Sequence, residues 1–374
     1  MQLASDSAEG GERGERIVSI QLLRFLAALG VLVVHAELFG YHLGRFLQIE
    51  LTRYTFTLKG GFGVDVFFAI SGFVMVHSSR RLYGTPGGRT AFVSRRLLRI
   101  VPLYWLCTLV ALAWALHFGP RLDLAGIVQS FAFSPFRSAA ASGRVAPVLE
   151  VGWTLNYEML FYLIFAATLA STAGATVRRV ALVLSGLVLL RLAVDLPLPL
   201  GAWGRPIILE FAAGMSVALL HARGITLPLW ARLALVGAAL VLVAVGNPDW
   251  SSDLAGWSRV LSWGVAGAAV LAAATLGQLR VIGARCWNFG GDISYALYLC
   301  HLPIMNAAQM TWRHFHLPYG RGLEALFVTA TIVVSLIAAA ILHIAVERPL
   351  TRWLNARMGT LRAGSRPGEN RRIL

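Results

Sequence analysis

The chain is 374 residues long, 57% hydrophobic and 14% charged, with a mean hydropathy of +0.67; soluble domains carry about 25% charged residues, so this composition cannot build a water-exposed surface. Apolar residues run along the whole length and there are 3 cysteines, which excludes disorder, collagen-like repeats and a small disulfide scaffold. The net charge of +15 reflects 33 basic residues, all arginine except Lys59, against 18 acidic ones, and its meaning depends on where those arginines lie.

Ten apolar runs approach the ~20 residues that cross a bilayer as a helix: 17–39, 61–78, 98–118, 151–172, 177–194, 206–222, 229–247, 258–276, 291–312 and 322–346. The expected fold is all-α, a polytopic integral membrane protein of about ten transmembrane helices. Residues 1–16 form a cytoplasmic segment, 17–350 the membrane domain and 351–374 a basic cytoplasmic tail.

The first run carries Arg24 and, 11 residues on, His35. On a helix these are about 16.5 Å apart and within about 20° of one face. Ionisable groups in a bilayer are paired and structural or part of a site, so a cation at one depth and a candidate general base at another stand out. Arg24 reaching for headgroups and His35 making an interhelical bond would also fit. The second run opens Gly60-Gly61-Phe62-Gly63-Val64-Asp65. Its glycines suit close helix approach, and Asp65 is expected at the depth of His35, where a carboxylate would orient the imidazole; a helix-start acid is the plainer reading.

Arg95, Arg96 and Arg99 precede the third run, with Pro102, Tyr104 and Trp105 just inside it. Arg96 and Arg99 share a helix face and suit bidentate contacts to phosphate, although cytoplasmic anchoring calls for the same residues. The short apolar stretch 122–135 suits an interfacial or re-entrant piece. Glu158, five residues after Trp153, is expected to join His35 and Asp65 by depth, or to pair with an arginine. Arg191, Glu210 and His343 read as pairing partners. The ninth run contains Asp292, Ser294, Tyr295, Tyr298, His301 and Pro303; a second catalytic histidine is one reading of His301, and a packing hydrogen bond is the one its surroundings favour.

An even number of spans puts both termini on one side. That side holds 21 of the basic residues against ten opposite, with Arg24 and Arg191 inside spans, so both termini are expected in the cytoplasm. The charge therefore reads as topology, with a tail suited to anionic lipid, and no nucleic-acid partner is expected. Phe25 to Val34 followed by Val34-His35-Ala36 also looks like a cleaved leader, but Arg24 would interrupt its apolar core. The cysteines lack metal-ligand spacing, no nucleotide or HExxH motif is present, and no metal is expected.

Taken together, Arg24 with ten residues before His35, Gly63-Val64-Asp65-Val66-Phe67-Phe68-Ala69-Ile70-Ser71-Gly72-Phe73, Arg96-Leu97-Leu98-Arg99, Trp153-Thr154-Leu155-Asn156-Tyr157-Glu158, Ser294-Tyr295 with Tyr298 to Pro303, and Glu347-Arg348-Pro349 resemble membrane acyltransferase family 3 over about 17–350. Thr154 stands where serine is common. The resemblance implies a ten-helix enzyme of the bacterial cytoplasmic membrane that moves an acyl group, usually acetyl, from cytosolic acyl-CoA to a hydroxyl of a glycan or lipid-linked saccharide. It implies His35 as catalytic histidine and Asp65 and Glu158 as supporting acids. It makes Arg24, Arg96 and Arg99 candidates for the coenzyme A phosphates or for structure around them, and Ser294 and Tyr298 are expected on the donor-binding side as well. The short tail suggests transfer by the membrane domain alone. From another class, a transporter or flippase for an anionic or lipid-linked molecule would also use intramembrane charges, but transporters often show two related halves, which this sequence lacks.

Overall fold

The computed structural model describes residues 17–49, 57–118, 122–138, 143–246, 256–279 and 281–364. The expected segment 1–16 and the end of the tail lie outside the described residues. Among the described residues the regular elements are helical, with one isolated bridge between Arg137 and Val145. The main helices are α1 (Val18–Phe46), α2 (Gly63–Ser78), α3 (Gly88–Phe118), α4 (Leu124–Phe131), α5 (Trp153–Thr168), α6 (Ala173–Ala193), α7 (Leu209–Ala222), α8 (Leu229–Val245), α9 (Trp257–Thr275), α10 (Ala284–His314), α11 (Arg321–Leu342) and α12 (Arg348–Gly364).

All but α4 and α12 coincide with the ten apolar runs. Among the described residues six helical stretches are long and apolar enough to cross a membrane: α1, α2 with the turn before it, α3, α6, α9, and α11 running on into α12. Helices α7 and α8 are apolar but shorter. Helix α5, at 16 residues, rises only about 24 Å, less than the hydrocarbon thickness of about 30 Å. Helix α10 has 31 residues but is interrupted by Asn288, Asp292, Ser294 and His301. Large apolar side chains such as Leu189 of α6, Leu240 of α8 and Ile341 of α11 are exposed, which suits lipid and not water. The chain is a multi-pass membrane protein.

Three helices outrun the apolar reading. Helix α3 begins at Gly88 and α10 at Ala284, while α1 continues to Phe46. An apolar run registers only the part of a helix that sits in hydrocarbon, whereas backbone bonding continues into the arginine-rich ends. The short stretch expected near 122–135 is α4, capped by the Asp123 carboxylate accepting from Gly126 N at 3.2 Å. It docks on α3, where Tyr104 Oη donates to Ser130 O and Trp105 Nε1 to Phe131 O, both at 3.0 Å.

Helix α2 is central, packed against α1, α7 and α9. Glycine permits the approach on both sides: a Cβ on Gly63 would lie 2.3 Å from Ala27 O of α1, and one on Gly214 of α7 only 1.8 Å from Ala69 O. Between them Phe68 stacks on Phe211 and Phe211 on Phe161, at 4.7 and 4.3 Å between centroids. Helix α1 in turn packs most extensively on α10, and that seam positions the site.

Candidate active site

At the end of the bundle where α3 begins, four helices bring charged groups together. Arg96 of α3 is 9% exposed, donates through Nη2 to Ser78 Oγ of α2, and places its guanidinium 5.6 Å from the Phe92 ring centroid and 6.0 Å from that of Tyr162. Its Nε is buried with no partner among the described residues. Buried donors are seldom left so, and a planar guanidinium held on aromatic faces with a donor to spare is equipped to grip an anion. Arg99 is exposed one turn on. Arg24 of α1 is half-buried, donates to Gln21 Oε1 at 3.2 Å, and senses the charges of Arg99, Asp292, Glu347 and Glu158. The structure thus gathers Arg24, Arg96 and Arg99.

Glu158 belongs to this cluster, not to His35 as expected. Its Oε1 accepts from Ser71 Oγ at 2.8 Å and from Tyr162 Oη, and its charge reaches both Arg24 and Arg96. The physical reason is that α5 is short, so five residues from its start is already a third of its length. The alternative expectation, pairing with an arginine, describes its surroundings better.

About 16.5 Å along the same face of α1, His35 is half-buried against His301 of α10. His301 Nε2 lies 3.3 Å from His35 Nδ1, with ring centroids 5.0 Å apart. Each Nδ1 also faces the carbonyl four residues back: His35 to Val31 O at 2.8 Å, His301 to Leu297 O at 3.0 Å. A carbonyl only accepts, so each neutral ring carries its proton on Nδ1. His35 Nε2 is then an unprotonated nitrogen with no hydrogen-bond partner among the described residues. The acid whose charge reaches His35 is Glu150, on the turn Glu150–Gly152 ahead of α5, which in turn accepts from Arg144 at 2.7 Å.

Asp65 does not orient His35. Both its oxygens are taken by Arg259 of α9, at 2.9 Å from Nε and 2.8 Å from Nη2, and Arg259 also donates to Gly61 O at 3.0 Å. Both side chains are wholly buried, and Glu210 adds a second acid there. Asp65 faces α9 and α7, away from His35. Arg259, which the sequence left among the ten basic residues on the side opposite the termini, is its partner. The available signal was that both residues open a helix entered from the same side.

Ser294 and Tyr298 also depart from expectation. Ser294 Oγ is fully buried and donates to Gly291 O within its own helix at 2.7 Å. Tyr298 Oη donates to Val151 O at 3.0 Å and meets Thr154 Oγ1 at 2.9 Å. These hydroxyl protons are spent inside the protein, so neither reaches a donor's phosphates from the arginine cluster. Tyr298 instead lies beside His301, centroids 6.0 Å apart. Glu210 and His343 do have charged neighbours, His343 bonding Glu347 at 2.8 Å.

The family model described as acyltransferase domain matches residues 17–344. The chain belongs to acyltransferase family 3. It is 35% identical over 346 residues to "Exopolysaccharide production protein ExoZ" of Rhizobium meliloti (strain 1021), covering 87% of this chain and 99% of ExoZ. It is 25% identical over 376 residues to "Acyltransferase MdmB" of Streptomyces mycarofaciens, covering 91% and 93%. No solved structure matches. As a family 3 member the chain is a membrane acyltransferase, and the transporter reading is set aside.

Proposed function

We propose that this enzyme is an O-acyltransferase that takes an acyl group, in the simplest case acetyl, from cytosolic acyl-CoA and places it on a hydroxyl of a glycan or related acceptor. The observation that carries the reading is the arrangement along α1. One end of the helix sets Arg24 among Arg96 and Arg99, and His35 further along presents an open Nε2. The guanidiniums and the spare buried Nε of Arg96 suit the phosphates of coenzyme A. A glycan acceptor is supported by ExoZ, whose name refers to exopolysaccharide production.

In this mechanism His35 Nε2 takes the acceptor hydroxyl proton as that oxygen attacks the thioester carbonyl. The new C–O bond forms, the C–S bond breaks, and His35 returns the proton to the leaving thiolate, so the imidazole ends neutral as it began. Arg96→Ala is expected to raise KM for acetyl-CoA about 10- to 100-fold, the range for a charge-assisted hydrogen bond, with Arg96→Lys intermediate. Equal donor affinity in all three forms would reduce Arg96 to an anchor.

The reading needs α1 to α3 and α5 to α11 to span the bacterial cytoplasmic membrane with both termini in the cytoplasm. Asp195 and Arg223 are exposed beyond opposite ends of the bundle. In a Cys286→Ser background, where the remaining Cys107 and Cys300 are buried, Asp195→Cys is expected to react with an impermeant thiol reagent in intact cells and Arg223→Cys only after permeabilisation. The reverse pattern would invert the topology.

A further inference from the structure

We infer that His301 is a positioning residue for the reaction, holding His35 in the tautomer whose Nε2 is free to accept a proton. The inference rests on the reading of His35 as general base and goes beyond it, since His301 need touch neither donor nor acceptor. In many histidine bases a carboxylate fixes the ring; here Asp65 is committed to Arg259 and Glu158 to Ser71 and Tyr162. What faces His35 Nδ1–H, beside the Val31 carbonyl, is a neutral imidazole.

The direction of that bond follows from the second ring. His301 is 1% exposed and its Nδ1 proton goes to Leu297 O at 3.0 Å, so its Nε2 offers a lone pair. His35 Nδ1–H, 3.3 Å away, is the donor. When His35 takes the hydroxyl proton on Nε2 and becomes a cation, the same bond becomes charge-assisted and strengthens. His301 therefore acts twice, by sharing the Nδ1–H with the Val31 carbonyl and so reinforcing that tautomer before the step, and by stabilising the imidazolium during it. No proton leaves or enters His301. Its place on the α1–α10 seam, with Pro303 two residues on and Tyr298 three back, keeps its ring against His35.

The test compares His301→Leu, which fills the space without an acceptor, with His301→Gln, whose amide oxygen reaches the position of Nε2. The full-length enzyme in nanodiscs is assayed with acetyl-CoA. His301→Leu is expected to lower kcat about 10- to 100-fold, the range for a charge-assisted hydrogen bond made in the transition state, with KM for donor and acceptor unchanged, and His301→Gln to recover most of the loss. Wild-type kcat in His301→Leu, equal impairment of both variants, or a change confined to KM would overturn the inference. Should neither variant fold, 15N NMR of histidine-labelled wild-type enzyme decides: a His35 Nδ1–H signature together with an unprotonated His301 Nε2 supports the role, and an Nε2–H signature on either ring overturns it. If His35→Ala is inactive while His301→Leu is normal, the inference alone fails; if His35→Ala is active, the underlying reading fails with it.

Discussion

Replacing His35 by alanine is expected to remove acyl transfer almost completely while leaving a folded, membrane-inserted protein. General base catalysis contributes roughly 10²- to 10⁴-fold, equivalent to about 3 to 5 kcal/mol of barrier, and no other base among the described residues is seen to bond in place of His35. The nearest imidazole, His301, has its Nε2 turned toward His35, and Glu150 is engaged with Arg144. The loss should fall in kcat, because the arginines that would hold the donor gather around Arg24, about three turns away along α1. Binding of a non-hydrolysable acyl-CoA analogue to His35→Ala should therefore match that of wild type. Since the side chain is half-buried and spends one bond on its own helix, its thermal unfolding midpoint in detergent should change little. Near-normal turnover in well-expressed His35→Ala enzyme would remove the mechanism.

The second large effect is on stability. Arg259→Ala is expected to destabilise the fold by about 3 to 5 kcal/mol, because breaking a buried pair leaves an uncompensated charge, here Asp65 with Glu210 beside it. Adding Asp65→Ala to Arg259→Ala should recover a substantial part of the loss, since well-packed apolar replacements of a buried pair are often tolerated. Thermal unfolding of the two single variants and the double variant, by loss of the monodisperse peak on size exclusion, measures the coupling. The cycle also separates two roles for Asp65. If it serves the fold through Arg259, activity in the double variant follows the amount of folded protein. If it served His35 directly, Asp65→Asn would be stable and inactive.

Much of the fold could be read in the sequence because the bilayer enforces it: a helix must satisfy its own backbone in hydrocarbon, so apolar runs mark helices. Arg24 and His35 were legible for a related reason. Both lie on one helix, and their relative depth and face follow from helical geometry alone. Depth along a helix is written in the sequence, but which neighbour a face meets is not. Asp65 was given the wrong partner, because the partner, Arg259, is 194 residues away and the rotation of α2 is set by Gly63 against α1 and Gly214 of α7. Glu158 was misplaced for want of the true length of α5. His301 was visible as a buried polar residue, but its role emerged only when its Nε2 was seen against His35.

The same limit applies to the donor site. Arg96 and Arg99 were found as a pair on one face, yet arginines that anchor a helix in the cytoplasm look identical in sequence. What distinguishes Arg96 is burial against Phe92 and Tyr162 with an Nε that has no partner among the described residues, which an interfacial anchor would not need. Ser294 and Tyr298 were assigned to the donor through the resemblance, and their hydroxyl protons proved to be committed to backbone carbonyls.

The most direct test is product analysis. Membranes carrying the enzyme, or His35→Ala at equal abundance, are incubated with acetyl-CoA labelled in its acetyl group and with the host's lipid-linked or surface polysaccharide, and the glycan is isolated and counted. The account predicts covalent, alkali-labile label on the glycan with the wild-type enzyme and at least about 100-fold less with His35→Ala; no covalent label with wild type, or equal label with both, would contradict it.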